Sequence, residues 1–220
     1  MATTLVFDLG GVVLHWQPAE LLRHCLAQRI DSDEAASVLA TSFFESFRPG
    51  GAWAEFDRGS LSATEVARRI ADGASGLSHA EVERVMDAIP AHLQLRPDTA
   101  ALLAELHRAG HRLVYLSNMP ATYVDHVQQQ LARIDGAFDG GIFSSEVGIV
   151  KPESAIFQLA ERHFGSAADE LLFFDDNPVN VDAAARLGWQ ARLFVDADGA
   201  RSDLVEAGLL PAGEALAEKQ

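Results

Sequence analysis

Four places in the chain carry side chains that could do chemistry. Asp8 follows the apolar run Leu5-Val6-Phe7 and precedes Gly10 and Gly11. Ser117-Asn118 ends a second apolar run, and Lys151 stands in Val150-Lys151-Pro152-Glu153. Asp175 and Asp176 close a third run, Leu171–Phe174. A carboxylate at the end of a buried strand can act as a nucleophile and split one hard step into two. A hydroxyl with neighbouring N–H groups can hold phosphate oxygens, and an ammonium can offset charge that develops during transfer. Each fragment also has a plain structural reading. Asp8 could cap a turn before two permissive glycines, Ser117-Asn118 could be a turn, and Lys151 could be a surface lysine ahead of a helix.

These residues need elements to hold them. Short apolar runs read as buried parallel strands at Leu5–Phe7, Arg112–Leu116, Gly141–Ser144, Leu171–Phe174 and Gln190–Phe194. Helical patterns lie between them, near 98–109, 121–133, 154–164 and 178–187, with a weaker one near 200–207. Strands alternating with helices imply a parallel sheet with right-handed crossovers. Ligands bind such sheets at the carboxyl ends of the strands, where the four chemical fragments fall. From about residue 17 to residue 92 there are helix signals and no strand signal. Ala19–Gln28 is one helix, and Asp31-x-x-Glu34 resembles a capping box opening a second, which carries Phe43, Phe44 and Phe47 and breaks at Pro49-Gly50-Gly51. Ser62-x-x-Glu65 and Ser78-x-x-Glu81 open two more, with a turn expected at Asp57-Arg58-Gly59.

Composition narrows the functional classes. The 220 residues carry a net charge of −15 and are 48% hydrophobic. A sizeable core is available, and the acidic balance argues against nucleic acid or an anionic membrane surface as partner. No apolar run approaches a membrane span, and the N-terminus enters a strand directly, so a cytoplasmic protein is the expectation. The single cysteine, Cys25, stands among Leu21, Leu22 and Leu26 at helical spacing and reads as a core residue.

The four fragments, in this order, resemble the four motifs of the haloacid dehalogenase superfamily, and the resemblance covers nearly the whole chain. It implies a three-layer, Rossmann-like α/β core with the Asp8 strand central, flanked by the 112–117 and 171–175 strands. Residues 1–16 and 93–220 form that core, and residues 17–92 form an all-helical cap. It further implies Asp8 as nucleophile, Ser117, Asn118 and Lys151 as phosphate-binding residues, and Lys151 as the charge-offsetting cation. Asp8, Asp176 and the Gly10 carbonyl are then metal ligands, with Asp175 and Asn180 behind them. Two like charges about 4 Å apart repel by roughly 4 kcal/mol at an effective dielectric of 20. One lysine cannot offset several converging carboxylates, whereas Mg²⁺, which takes oxygen ligands, can.

The resemblance is to a branch of sugar-phosphate phosphatases related to the phosphatase domain of soluble epoxide hydrolases. It implies a Mg²⁺-dependent phosphatase acting on a small phosphorylated metabolite through an aspartyl-phosphate. One position departs from the pattern. The family's general acid/base aspartate is replaced by Gly10, which predicts a preference for good leaving groups and accumulation of the phosphoryl-enzyme. His15, just beyond the first strand, is a conceivable substitute. Two other readings share the motifs: a 2-haloacid dehalogenase, which attacks carbon with the same aspartate, and a catalytically weak regulatory or binding protein of the family. Trp53, Phe56 and Phe47 are either pocket-lining residues of the cap or its own core.

Overall fold

The computed structural model describes residues 3–45, 48, 50–73, 75–134, 136 and 138–211. A five-stranded sheet has the order β3-β2-β1-β4-β5, with β1 at Thr4–Phe7, β2 at Arg112–Ser117, β3 at Gly140–Phe143, β4 at Leu171–Asp175 and β5 at Gln190–Leu193. All pairings are parallel. The central strand β1 is buried along its whole length because helices cover both faces, so its sequence is apolar without alternation. Alternate residues serve opposite faces. Leu5, Phe7 and Phe174 join one core cluster, while Val6, Leu116 and Phe173 join the other. Phe7 stacks on Phe174 at 5.2 Å between ring centroids. Each fully buried side chain of this size contributes about 1.5–3 kcal/mol.

Between β1 and β2 the described chain forms helices α1 (Pro18–Cys25), α2 (Asp33–Phe43), α3 (Ala52–Asp57), α4 (Ala63–Ala71), α5 (His79–His92) and α6 (Pro97–Arg108). Both expected capping boxes, at Ser62/Glu65 and Ser78/Glu81, are formed. The one expected at Asp31/Glu34 is displaced: Ser32 caps α2 by accepting from the Ala35 N–H, and its hydroxyl is the better-placed acceptor. The chain enters and leaves the α1–α5 stretch side by side. Leu14 pairs antiparallel with Leu95, the His15 N–H donates to the Gln94 carbonyl at 2.7 Å, and the Arg96 N–H donates to the Val13 carbonyl at 2.9 Å. Cys25 packs against the core, and burial pushes its thiol up.

The remaining helices are α7 (Ala121–Leu131), α8 (Ser144–Val147), α9 (Ser154–Phe164), α10 (Pro178–Arg186) and α11 (Ala197–Glu206). Among the described residues, no helix is long and apolar enough to cross a membrane.

Candidate active site

The sheet register aligns the strand ends. Phe7 lies opposite Tyr115 on β2 and Phe174 on β4, so the next residue, Asp8, emerges beside Leu116 and Asp175. Its N–H donates to the Phe174 carbonyl at 2.8 Å. The Lys151 ammonium sits between two carboxylates, 2.8 Å from Asp8 Oδ1 and 2.7 Å from Asp175 Oδ2. Asp175 is fully buried, which is tolerable because every oxygen has a donor. Its Oδ1 also accepts from the Asn177 N–H at 2.8 Å, and the Asn180 amide reaches both oxygens at 3.1 Å.

Lys151 is placed from a distance in sequence. The Asn118 side chain accepts from the Lys151 N–H at 2.8 Å and donates to the Lys151 carbonyl at 3.0 Å. Asn118, read from sequence as a phosphate contact, thus fixes the backbone of the lysine while also lining the cavity. Ser117 ends β2 with its hydroxyl buried and without a partner among the described residues, but it does not line the cavity.

Asp176 completes the acidic group. Ligating atoms of Asp8, Asp175 and Asp176 all lie within 4.8 Å of one another. Burial raises Asp8 to about 7, against the pull of Lys151 and with help from Asp175 and Asp176. Burial and the Asp175 charge raise Asp176 to about 6. Lys151 is raised: burial opposes its charge, but Asp175 and Asp8 outweigh burial. One ammonium against this many acids leaves the group short of positive charge, and hard oxygen donors with a deficit of cation fit Mg²⁺. The Gly10 carbonyl accepts no hydrogen bond from the described residues, and Gly10 lines the same cavity.

The two glycines differ in what they permit. Gly11 has φ +79°, and a Cβ there would lie 2.1 Å from Asp176 Oδ2. A side chain at position 11 would therefore displace a candidate ligand. At Gly10 a Cβ would meet nothing closer than Trp16 at 3.7 Å. Gly11→Ala is expected to weaken Mg²⁺ binding about 10–100-fold, as loss of ligand support does, whereas Gly10→Ala leaves it near the parent value. Calorimetric titration of Mg²⁺ into both variants checks the contrast.

A cavity of about 520 Å³ opens over these groups. Asp8, Asn118, Lys151, Asp176 and Asn180 form its polar end, and Trp16, Trp53, Leu93, Met119, Tyr123 and Val179 its apolar walls. Trp53 serves both as wall and as core: it is buried and meets Phe44 edge-on at 4.6 Å. Phe56 is core, packed between Trp53 and Tyr123, and does not line the cavity; Phe47 lies outside the described residues. His15 does not line it either, and its Nε2 lies 3.0 Å from Glu20 Oε2. Sequence reasoning missed Asp57. This carboxylate, expected in a turn, is the last residue of α3 and faces the cavity.

Fold and site together define a class: a parallel α/β fold with a carboxylate at the end of its central strand, a buried lysine and a pair of acids. A model of haloacid dehalogenase-like hydrolases matches residues 2–188, and the chain belongs to that family. The sesquiterpene phosphatase astK of Aspergillus oryzae is 26% identical over 193 residues, covering 86% of this chain and 89% of that one. An (S)-2-haloacid dehalogenase of Pseudomonas putida is 31% identical over 144 residues, 64% of this chain and 63% of that enzyme. A family enzyme of Bacteroides thetaiotaomicron, bt-2542, solved in complex with magnesium and inorganic phosphate, shares the fold at a TM-score of 0.62 and 20% identity, covering 89% of this chain and 96% of its own.

Proposed function

We propose that the protein is a Mg²⁺-dependent phosphatase that hydrolyses a small phosphorylated metabolite through an aspartyl-phosphate on Asp8. The observation that carries this reading is the excess of acid around one lysine: Asp8, Asp175 and Asp176 cluster together, and among the described residues Lys151 is the one cation that forms ion pairs with them. A phosphatase needs that cluster, because Asp8, Asp176 and the Gly10 carbonyl would hold the metal. The bound ion would supply charge neutralisation for the transferring phosphoryl group. A dehalogenase gains nothing from the extra acids, which repel an anionic haloacid. Lys151 holds Asp8 in place and balances developing charge, and Asp175 and Asn180 keep Lys151 oriented. Asn118 and Lys151, which line the cavity, are the candidate holders of phosphate oxygens.

The substrate's other end meets the apolar walls. Trp16, Trp53, Leu93, Met119 and Tyr123 favour an apolar alcohol portion over a sugar, and the name of the Aspergillus relative agrees with this. Residues 17–92 act as a cap over the core formed by 1–16 and 93–220, with the paired crossing at Leu14 and Leu95 as its stem. The test is to measure inorganic phosphate and halide release side by side, with Mg²⁺ and with chelator. Phosphate release that requires Mg²⁺ is expected; full activity of metal-stripped protein in chelator would sink the proposal.

A pH dependence follows from the same acids. Asp8 at about 7 and Asp176 at about 6 are partly protonated near neutrality, and a metal takes only the ionised form. Mg²⁺ affinity should rise with pH across 6 to 7 and level off above. Both groups lie above their unfolded value of 3.8, so the metal-free fold binds protons that the unfolded chain has released. Its stability therefore falls as pH rises through this window. Thermal unfolding at pH about 5 and about 8, with and without Mg²⁺, checks the sign: the stabilisation by Mg²⁺ is expected to be larger at the higher pH.

A further inference from the structure

We propose that Asp57, supplied by the helical segment between β1 and β2, is the general acid and base of the reaction at Asp8, in the role that Gly10 has no side chain to fill. The inference rests on the phosphatase reading. Asp57 is 4% exposed, lines the same cavity as Asp8 and Lys151, and its carboxyl has no hydrogen-bond or ion-pair partner among the described residues. A buried aspartate with a structural role normally accepts from N–H or hydroxyl groups. Asp57 accepts nothing and opens onto the space where a substrate must sit.

Its backbone, by contrast, is fastened to the core. The Ser144 hydroxyl donates to the Asp57 carbonyl at 2.5 Å, and the Ser144 hydroxyl oxygen accepts from the Met119 N–H at 2.9 Å. The next residue, Arg58, donates to the Gly148 carbonyl at 3.0 Å and pairs with Glu153. These contacts pin the end of α3 to the segments that carry Asn118 and Lys151. The backbone that carries the carboxyl is thereby fixed beside the cavity, as positioning of a proton-transfer group requires. The titratable groups acting on it are Asp8, Lys151 and Tyr123. Burial first, and then the Asp8 charge, push its carboxyl well above the ordinary range, with Lys151 opposing. Both effects favour the neutral acid, the form that donates first.

In the first step an Asp8 oxygen bonds to phosphorus while the bond from phosphorus to the leaving oxygen breaks. Asp57 gives its proton to that oxygen, which departs as the alcohol, and is left as carboxylate. In the second step water attacks phosphorus and loses a proton to Asp57, and the Asp8–phosphorus bond breaks. Inorganic phosphate leaves, Asp8 is again a carboxylate and Asp57 is again an acid.

The test compares the wild-type chain and Asp57→Asn, each with Mg²⁺, on phosphate monoesters from aryl to primary alkyl. With its acid in place, the wild type should show a shallow dependence on leaving-group pKa and no pre-steady-state burst. Asp57→Asn should lose about 10²–10⁴ in kcat/KM on alkyl esters, lose far less on aryl esters, and release a burst of aryl alcohol as the phosphoryl-enzyme accumulates. Adding Gly10→Asp to Asp57→Asn, where Trp16 at 3.7 Å leaves room, should recover alkyl turnover. Equal loss on all esters with no burst and no recovery would mark Asp57 as structural and overturn the proposal. So would a steep leaving-group dependence with a burst in the wild type, a readout that does not depend on the variant folding. An active wild type matched by Asp57→Asn sinks only this inference, whereas a wild type that releases no phosphate from any ester sinks the phosphatase reading with it.

Discussion

Asp8→Asn should remove turnover, by on the order of 10⁴ to 10⁶ as expected for loss of a covalent nucleophile, while the fold persists. The substitution keeps the shape and hydrogen-bonding capacity of the side chain and removes its charge and nucleophilicity. Its neighbourhood can accept the change. Lys151 keeps Asp175 at 2.7 Å, and the site loses a carboxyl that burial first, and then the Asp175 and Asp176 charges, raise to about 7. The metal-free variant should therefore be at least as stable as the parent above neutral pH. The covalent product separates the rival chemistries. The parent quenched in acid should carry a base-labile phosphoryl group on Asp8 after reaction with a phosphate ester, and Asp8→Asn should carry none. An ester to a carbon skeleton on Asp8 would instead mark the dehalogenase chemistry of the Pseudomonas relative. Near-native turnover of Asp8→Asn would show that the whole group of residues has been misassigned.

The sequence reveals those parts of the fold whose signals are local. The central strands are legible because a strand covered on both faces must be a short apolar run, and β1 and β4 are buried throughout. The boxes at Ser62/Glu65 and Ser78/Glu81 are legible because both partners lie within one turn. Helix α3 is not. Its six residues Ala52–Asp57 are nearly all buried, so no polar face alternates with an apolar one, and Gly51 offers no side-chain cap. Asp57 at its end consequently reads as a turn residue beside Gly59.

Within the site, Asp8, Asp175 and Asp176 stand out because acids at strand ends are costly without a purpose, and Lys151 stands out just ahead of a helix. The clamp of Asn118 on Lys151 spans 33 residues and leaves no periodic trace. The same holds for the hold of Ser144 on Asp57, across 87 residues. Such contacts belong to tertiary structure, and local sequence patterns carry no information about them.

Lys151→Met should unfold more easily than any other single change at the site, and its instability should grow with pH. The ammonium is buried between Asp8 and Asp175, and Met fills a similar volume without charge. Removing one partner of a buried ion pair leaves the other uncompensated and typically costs about 3–5 kcal/mol, a large share of the roughly 5–15 kcal/mol that holds a domain together. Asp175 keeps its bonds from Asn177 and Asn180, so the exposed weakness is Asp8, for which Lys151 is the sole hydrogen-bond donor to the carboxylate among the described residues. Without the lysine, Asp8 should take up a proton even more readily than at its present value of about 7. The sign is then fixed. A carboxyl raised in the folded state stabilises it below the unfolded value, and that stabilisation is lost as pH rises through the folded value. The variant should melt near the parent at pH about 4 and well below it at pH about 8. Mg²⁺ should recover part of the gap at the higher pH, because a second cation takes over some of the ammonium's work. Activity should still fall by about 10² or more, the usual loss when a positioned charge-stabilising group is removed. Melting curves that track the parent at every pH would mean that the ammonium is not the counter-charge on which Asp8 and Asp175 depend.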